Sequence, residues 1–320
     1  MQSLILFALR FIATLVSGFG KNKKLFILIY HRVLDESDYM RPAEVDKKVF
    51  TWQMNLLSNY FNVLPLDEAL EKIETGMLPS RAVSITFDDG YSDNYLNALP
   101  ILKKYDLKAT FFIASGYLNG GMMWNDQVIE SIRRMTSEKL DLTDVGFGAF
   151  SISDEIQKST AADQIINKIK HLESNERQDI ADFISSKVKK MPTDLMMTDE
   201  QLIKLHQAGM EIGGHTVSHP IMANLDADEV KKELKNNKQT LEKLLNTSLR
   251  FFAYPNGKPN VDYKPEQIEQ VKLQGYKGAV STEWGVVGLN SDIFQLKRFT
   301  PWDTHPVKFM LRMIMRYKLG

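Results

Sequence analysis

The sequence predicts an α/β fold of repeated strand and helix units with one helical insertion, on three observations. Short apolar runs alternate with segments of helical periodicity along most of the 320 residues, the pattern of βα units. One such run, Val83 to Phe87, stops abruptly on Asp88-Asp89-Gly90, as a buried strand does when it delivers acids to its C-terminal edge. The stretch from Met122 to about Thr198 breaks the rhythm, being long, polar and helical in character, and reads as an insertion capping the active face.

A content of 43% hydrophobic and 10% aromatic residues suffices for a large core. Lys plus Arg and Asp plus Glu number 40 each, so no global field draws in nucleic acid, and none is expected as a partner. The absence of cysteine excludes disulfides and thiolate ligands and leaves His, Asp and Glu as metal donors. Neither a GxxxxGK(S/T) nor a GxGxxG phosphate loop is present, which disfavours nucleotide-driven chemistry.

Along the chain, Met1 to Gly20 is strongly apolar but interrupted by Arg10, and Lys21, Lys23 and Lys24 follow rather than precede it, a poor secretory signal. On a helical wheel Ser3, Arg10, Thr14 and Ser17 make a narrow polar stripe opposite Leu4, Ile5, Phe7, Leu9, Ile12 and Leu15. That suits a helix lying in a membrane interface, so residues 1–23 are set apart as an amphipathic N-terminal helix. A terminal helix packed on the core is an equal alternative, and were the segment a tilted single span the following lysines would hold the main domain on the cytoplasmic side, so membrane association on the cytoplasmic face is favoured over export. Strands are expected at Leu25 to Tyr30, Val83 to Phe87, Ala109 to Ala114, Met210 to Gly213, Phe251 to Tyr254 and Gly278 to Ser281, with a late one ending near Arg298.

Asp199 to Ala208 reads as a helix opened by Thr198, with Gln201 three residues on, and closed by Gly209. Ala227 to Leu245 reads as another, N-capped by Asp226, with Val230, Leu234, Leu241 and Leu245 on one face. Inside the insertion Asp163 to Ile169 and Asn175 to Lys189 carry helical patterns without clear strands. Residues 304–320 form a basic amphipathic end, in which Lys308, Arg312 and Arg316 recur beside Phe309, Met310, Met313, Ile314 and Tyr317. Both termini are expected to make peripheral contact with an anionic bilayer.

Three clusters carry chemistry. Two adjacent carboxylates, Asp88 and Asp89, would repel each other in a partly buried site unless a cation neutralised one. His215 and His219, in Gly214-His215-Thr216-Val217-Ser218-His219-Pro220, supply two neutral nitrogen donors. With one carboxylate they make the three-ligand open site that hydrolytic metals use. The third cluster, Phe251-Phe252-Ala253-Tyr254-Pro255-Asn256-Gly257, is a strand ending in a turn whose backbone N–H groups suit a developing oxyanion.

Together, and in this order, the clusters resemble the motifs of the polysaccharide deacetylase superfamily, also called the NodB-homology or carbohydrate esterase family 4 fold, over Leu25 to Arg298. The resemblance implies a distorted (β/α) barrel of about seven parallel strands within residues 24–303. It also implies metal-dependent hydrolysis of an acetamide on a sugar of a cell-surface polysaccharide or glycolipid precursor, a carbohydrate substrate that is lipid-linked in some settings. Carried over, Asp88 is the general base, while Asp89, His215 and His219 hold one divalent ion, Zn first, with Ni, Co and Fe also compatible with two histidines and a carboxylate.

The departures are specific. The family's third motif has an arginine and a tyrosine where this chain has Ala253 and Asn256, so another cation has to orient Asp88; Arg298 is the first candidate and Arg250 the second. The late acid motif is not visible either. His31, in Ile29-Tyr30-His31-Arg32-Val33, is similar to an opening of the surface-polysaccharide subgroup and is the candidate proton donor, with His305 its competitor. Tyr254 and Asn256 are assigned to the substrate and oxyanion side, and Trp124, with Asn125 and Asp126, to a sugar-facing wall, with core packing an equal alternative for Trp124. The alternatives are a deformylase or other amidohydrolase on a lipid-linked sugar, and an inactive carbohydrate-binding barrel, against which Asp88 argues.

Overall fold

In the computed structural model, which describes residues 2–319, seven parallel strands form a nearly closed barrel. They are β1 Leu25–Tyr30, β2 Ala82–Phe87, β3 Thr110–Ile113, β4 Glu211–Gly214, β5 Phe251–Ala253, β6 Gly278–Trp284 and β7 Leu296–Arg298, and they neighbour one another in that order. A short strand, Asn62–Val63, pairs beside the start of β2. The barrel closes where Phe299, just past β7, meets β1: its N–H donates to the Ile27 carbonyl at 2.8 Å and its carbonyl accepts from Ile29 N–H at 3.0 Å. β1 and β2 are buried at every position, which is why they read as continuous apolar runs rather than alternating ones.

The helices are α1 Gln2–Val16, α2 Lys47–Tyr60, α3 Leu66–Glu74, α4 Leu99–Lys104, α5 Trp124–Arg134, α6 Glu155–Ile169, α7 Ser174–Ser185, α8 Asp199–Gln207, α9 Ala227–Leu245, α10 Pro265–Leu273 and α11 Pro306–Leu319. α8 and α9 start on the expected residues, each with a reciprocal capping box: Thr198 with Gln201, and Asp226 with Glu229. Successive strand residues face opposite sides of the wall. Leu25, Ile27, Phe251, Ala253 and Val280 cluster together in one group, while Phe26, Leu28, Phe87, Phe252 and Tyr254 join the larger cluster that includes the surrounding helices.

The insertion carries its own small core, built around Val128, Ile132, Leu140, Ile165 and Ile184. It differs from the sequence expectation by containing an antiparallel hairpin, Lys139–Leu142 with Gly148–Ser151. Leu140, Leu142 and Phe150 are buried between exposed neighbours, an alternation too short to stand out among helical segments. α7 ends at Ser185 rather than Lys189, where the chain tightens into three-residue bonds, Lys187 N–H to Ile184 O and Val188 N–H to Ser185 O. Asp126 of α5 ties the insertion to the barrel, accepting from the Tyr91 hydroxyl at 2.9 Å and pairing with Arg41 at 2.8 Å.

Both terminal helices lie against the barrel wall. α1 buries Leu6, Leu9 and Ala13, and α11 buries Phe309, Met310, Met313, Ile314 and Tyr317. Part of the expected polar stripe of α1 points inward: Thr14 accepts from Arg81, and Ser17 is buried. Among the described residues no helix is long and apolar enough to cross a membrane.

Candidate active site

Asp88 continues the β1–β2 ladder one residue past β2, its N–H donating to the Tyr30 carbonyl at 2.9 Å. Its carboxylate meets Arg298 from the far end of the sheet order. Arg298 is fully buried, with Nη1 donating to Asp88 Oδ1 and Nη2 to Oδ2, each at 2.7 Å. Nε donates to the Ser281 carbonyl at 2.8 Å and Nη1 also to Thr86 Oγ1 at 3.2 Å, so the guanidinium fork is locked from two strands, β2 and β6. Burial opposes ionisation of Asp88, but the Arg298 charge outweighs it and holds the carboxyl below its ordinary range. Arg250, the other cation considered, pairs instead with Asp67 at 2.6 Å and Glu211 at 2.7 Å, at the end where β4 begins.

Asp89 turns the chain away with a φ of +78°, followed by Gly90 at +95°. Its Oδ1 lies 3.3 Å from His215 Nε2 and 3.4 Å from His219 Nε2. The donor atoms of the three residues all fall within 4.8 Å of one another. His215 Nδ1 lies 2.7 Å from the Ala253 carbonyl, which can only accept, so Nδ1 carries the proton and Nε2 is left as a lone-pair donor. Burial pushes His219 down to about 4, keeping it neutral at physiological pH. Burial also resists charge on Asp89, yet the surrounding His215, His219 and His31 rings hold its carboxyl below the usual range. Asp89 Oδ1 is buried with no well-aligned hydrogen-bond donor. An orphaned carboxylate oxygen facing two imidazole nitrogens fits a divalent cation.

α9 holds the histidine loop in place through two residues that sequence reasoning missed. Glu233 accepts from the N–H groups of Val217 and Ser218 at 2.7 and 2.9 Å. Asn237, fully buried, donates to Ile113 O at 2.9 Å and to Thr216 O, and its Oδ1 accepts from His215 N–H at 3.3 Å. The signal was present: Asn237 sits on the buried face with Val230, Leu234 and Leu241, a polar residue where the stripe calls for an apolar one. Residues that orient metal ligands through hydrogen bonds typically carry a 10–100-fold share of metal affinity. Asn237→Leu is therefore expected to weaken metal uptake by about that factor, measured calorimetrically, with α9 intact by circular dichroism. Unchanged uptake would remove Asn237 from the site.

The backbone is strained at the same place. Of the nine non-glycine residues with positive φ among the described residues, Asp89, Thr216, His219 and Asn256 all belong to this cluster, a concentration that marks a site rather than chance loop geometry.

A cavity of about 520 Å³ opens over these groups and brings together His31, Asp88, Asp89, His215, His219 and Asn256, with Asn125, Ile129 and Asp163 contributed by the insertion. A larger hollow, about 1010 Å³, lies near the start of β4 and contains none of them. Asn256 has a φ of +57°, and its N–H takes no hydrogen-bond partner among the described residues. His31, one residue past β1, is fixed through its carbonyl by Asn94 Nδ2 at 2.8 Å. Burial disfavours its charged form, but Asp89, Glu44 and Asp88 outweigh that and raise its pKa. Glu44, in the same cavity, is another residue that sequence reasoning missed.

Three expected residues lie elsewhere. Tyr254 is fully buried in the outer layer, stacked on Tyr263 at 3.8 Å, and its N–H is bonded to Val280 O. The two-residue strand period explains this, since Ala253 and Tyr254 must face opposite sides. Trp124 packs within the insertion under the Arg177 guanidinium, 5.0 Å from its ring centre, while its neighbour Asn125 reaches the cavity. His305 is exposed just before α11 and does not line the cavity.

The sequence profile of the family described as polysaccharide deacetylase matches residues 75–279, well over half of the chain. The chain belongs to the polysaccharide deacetylase family. Among curated deacetylase relatives it is 24% identical over 280 residues to the putative polysaccharide deacetylase YxkH of Bacillus subtilis, covering 87% of this chain and 71% of that one. It is 26% identical over 217 residues to the poly-β-1,6-N-acetyl-D-glucosamine N-deacetylase of Staphylococcus aureus, covering 60% and 72%. The same deacetylase fold is found in the Streptococcus pyogenes deacetylase PplD, solved in complex with acetate, at a TM-score of 0.62 with 22% identity, covering 92% of this chain and 99% of that one. It is found again in IcaB of Ammonifex degensii, at 0.56 with 19% identity, covering 90% and 97%. His31 and Arg298 both lie outside the residues matched by the deacetylase profile.

Proposed function

We propose that this deacetylase removes N-acetyl groups from hexosamine units of a surface polysaccharide or its lipid-linked precursor, with one divalent ion held by Asp89, His215 and His219. The observation that carries the reading is an ionised Asp88, clamped on both oxygens by Arg298, in one cavity with the three donors. The Staphylococcus aureus relative named as an N-acetylglucosamine polymer deacetylase supports the substrate class. The ion, Zn first, would supply Lewis acidity and a water of lowered pKa. Asp88 accepts the proton of the attacking water, its lone pairs oriented by the Arg298 fork. Asn256 offers its free N–H to the amide oxygen as that oxygen gains charge. His31, whose neighbours favour the protonated form, gives its proton to the departing amine.

Incubation with β-1,6-linked N-acetylglucosamine oligomers should release free amine and acetate in equal amounts, and chelation should abolish it. Release of formate from a formylated analogue, but no acetate, would assign the site to the competing amidohydrolase reading. Asp89→Ala, His215→Ala and His219→Ala should each lose metal while staying folded; stoichiometric metal in His219→Ala would sink the ligand assignment.

His31→Ala should retain metal and substrate affinity but lose about two or more orders of magnitude in turnover, the scale of a general acid. Near-normal turnover in His31→Ala together with collapse in His305→Ala would transfer the role to the late histidine.

A further inference from the structure

We propose that the joint outer face of α1 and α11 docks this protein on an anionic lipid surface. The inference is independent of the reaction assigned above. α1 is apolar on both sides: Leu6, Leu9 and Ala13 are spent on the barrel, yet Leu4, Phe7 and Phe11, and Phe19 in the turn after it, remain 74%, 65%, 66% and 68% exposed. α11, almost three hundred residues later in the chain, packs beside α1 and adds exposed Leu311 and Met315. Lys24 fastens the ends of the two helices together, its N–H donating to Ser17 O at 2.9 Å and its Nζ to Tyr317 O at 2.7 Å. A contiguous apolar face of this kind marks an interaction surface rather than scattered exposure.

Charge identifies the occupant. The whole chain balances 40 basic against 40 acidic residues, yet no Asp or Glu occurs before Asp35 or after Asp303. Arg10, Lys21, Lys23, Lys308 and Arg316 therefore flank the apolar residues without acidic neighbours in either terminal segment, and the remainder of the chain is net acidic. Apolar side chains rimmed by cations suit the boundary between acyl chains and anionic headgroups. A second copy would bring two cationic faces together and is disfavoured. The described 15 residues of α1 span about 22 Å against a hydrocarbon core of about 30 Å, and Leu6, Leu9 and Ala13 are already packed on the barrel, which suits a helix lying along a lipid surface. The face also reaches the catalytic end of the barrel. Trp302, just ahead of α11 and 4.8 Å from the Arg312 guanidinium, lines a small hollow with His31 and Glu44. A docked surface therefore lies beside the cavity, within reach of glycan that emerges from it.

The test is flotation of the full chain with vesicles of phosphatidylcholine alone or mixed with phosphatidylglycerol. The protein should float with the mixed vesicles and at least about tenfold less with the neutral ones. Phe7→Glu with Phe11→Glu should lose about tenfold or more on both, and Lys21→Glu with Lys23→Glu on the anionic vesicles alone. Thermal melts check that each variant is folded, and should the aromatic pair melt early the lysine pair, exposed at Lys21 and half-buried at Lys23, carries the test. Absence of flotation, or flotation unchanged by both pairs, overturns the proposal. So does a lipid-free dimer that Phe7→Glu with Phe11→Glu dissociates, since that would give the face to a second copy.

Discussion

Asp88→Asn is expected to leave the barrel folded and metal uptake intact while lowering turnover by about two to four orders of magnitude, the range of general acid–base catalysis. The amide nearly matches the carboxylate in shape, so the cavity keeps its outline. It cannot accept a proton, and one of its ends becomes an N–H pair facing an Arg298 Nη that now sits 2.7 Å from a carboxylate oxygen. Donor would meet donor, and the clamp would open on that side. Asp89→Asn, one residue on, should behave in the opposite way and lose the ion, because its Oδ1 is the carboxylate atom nearest both imidazoles. Metal content and single-turnover amine release, measured on both variants, separate the roles; an Asp88→Asn enzyme within tenfold of the parent would place the base elsewhere.

Arg298→Met should destabilise the fold by roughly 3–5 kcal/mol at neutral pH, the usual cost of leaving one partner of a buried ion pair uncompensated. Arg298→Lys should rescue little, because a point ammonium cannot reach both Asp88 oxygens, Thr86 and the Ser281 carbonyl at once. The pH dependence has a definite sign. In the parent the Asp88 carboxyl is held below its ordinary range, so the pair's contribution is fully present above the unfolded value of about 3.9 and is lost as pH falls through the lower folded value. In Arg298→Met the buried, unpaired carboxyl prefers its proton and its folded value is raised. The stability gap between variant and parent should therefore be widest near neutrality and narrow as pH falls toward 4. Denaturant melts across that window test it, and a constant gap would show that lost packing, not the charge, sets the cost.

The barrel strands were legible because parallel strands buried on both faces leave apolar runs that stop at functional residues. The clusters around Asp88, His215 and Asn256 were legible for the same reason. Arg298 was visible only indirectly, through Ala253 standing where an arginine was wanted; the geometry then joins two side chains separated by almost the whole barrel sequence. Tyr254 and Trp124 went astray because an aromatic beside a motif does not reveal which way it points. The strand period alone would have turned Tyr254 outward. Glu233 and Asn237 were hidden in a helix whose apolar stripe drew attention to its leucines, and Glu44 lies in a polar loop with no local pattern. The hairpin of the insertion depends on packing against α5 and α6 that no short window contains.

The position of Arg298 in the last strand also sets an order of events during synthesis. Asp89, His215 and His219 have all left the ribosome well before Arg298 does, so a growing or C-terminally clipped chain possesses every ion donor while lacking the guanidinium that aims Asp88. On the proposed assignment such a chain would carry the candidate donors but not the guanidinium that holds both Asp88 oxygens. On that assignment hydrolytic competence would arrive only once the seam between β7 and β1 has formed.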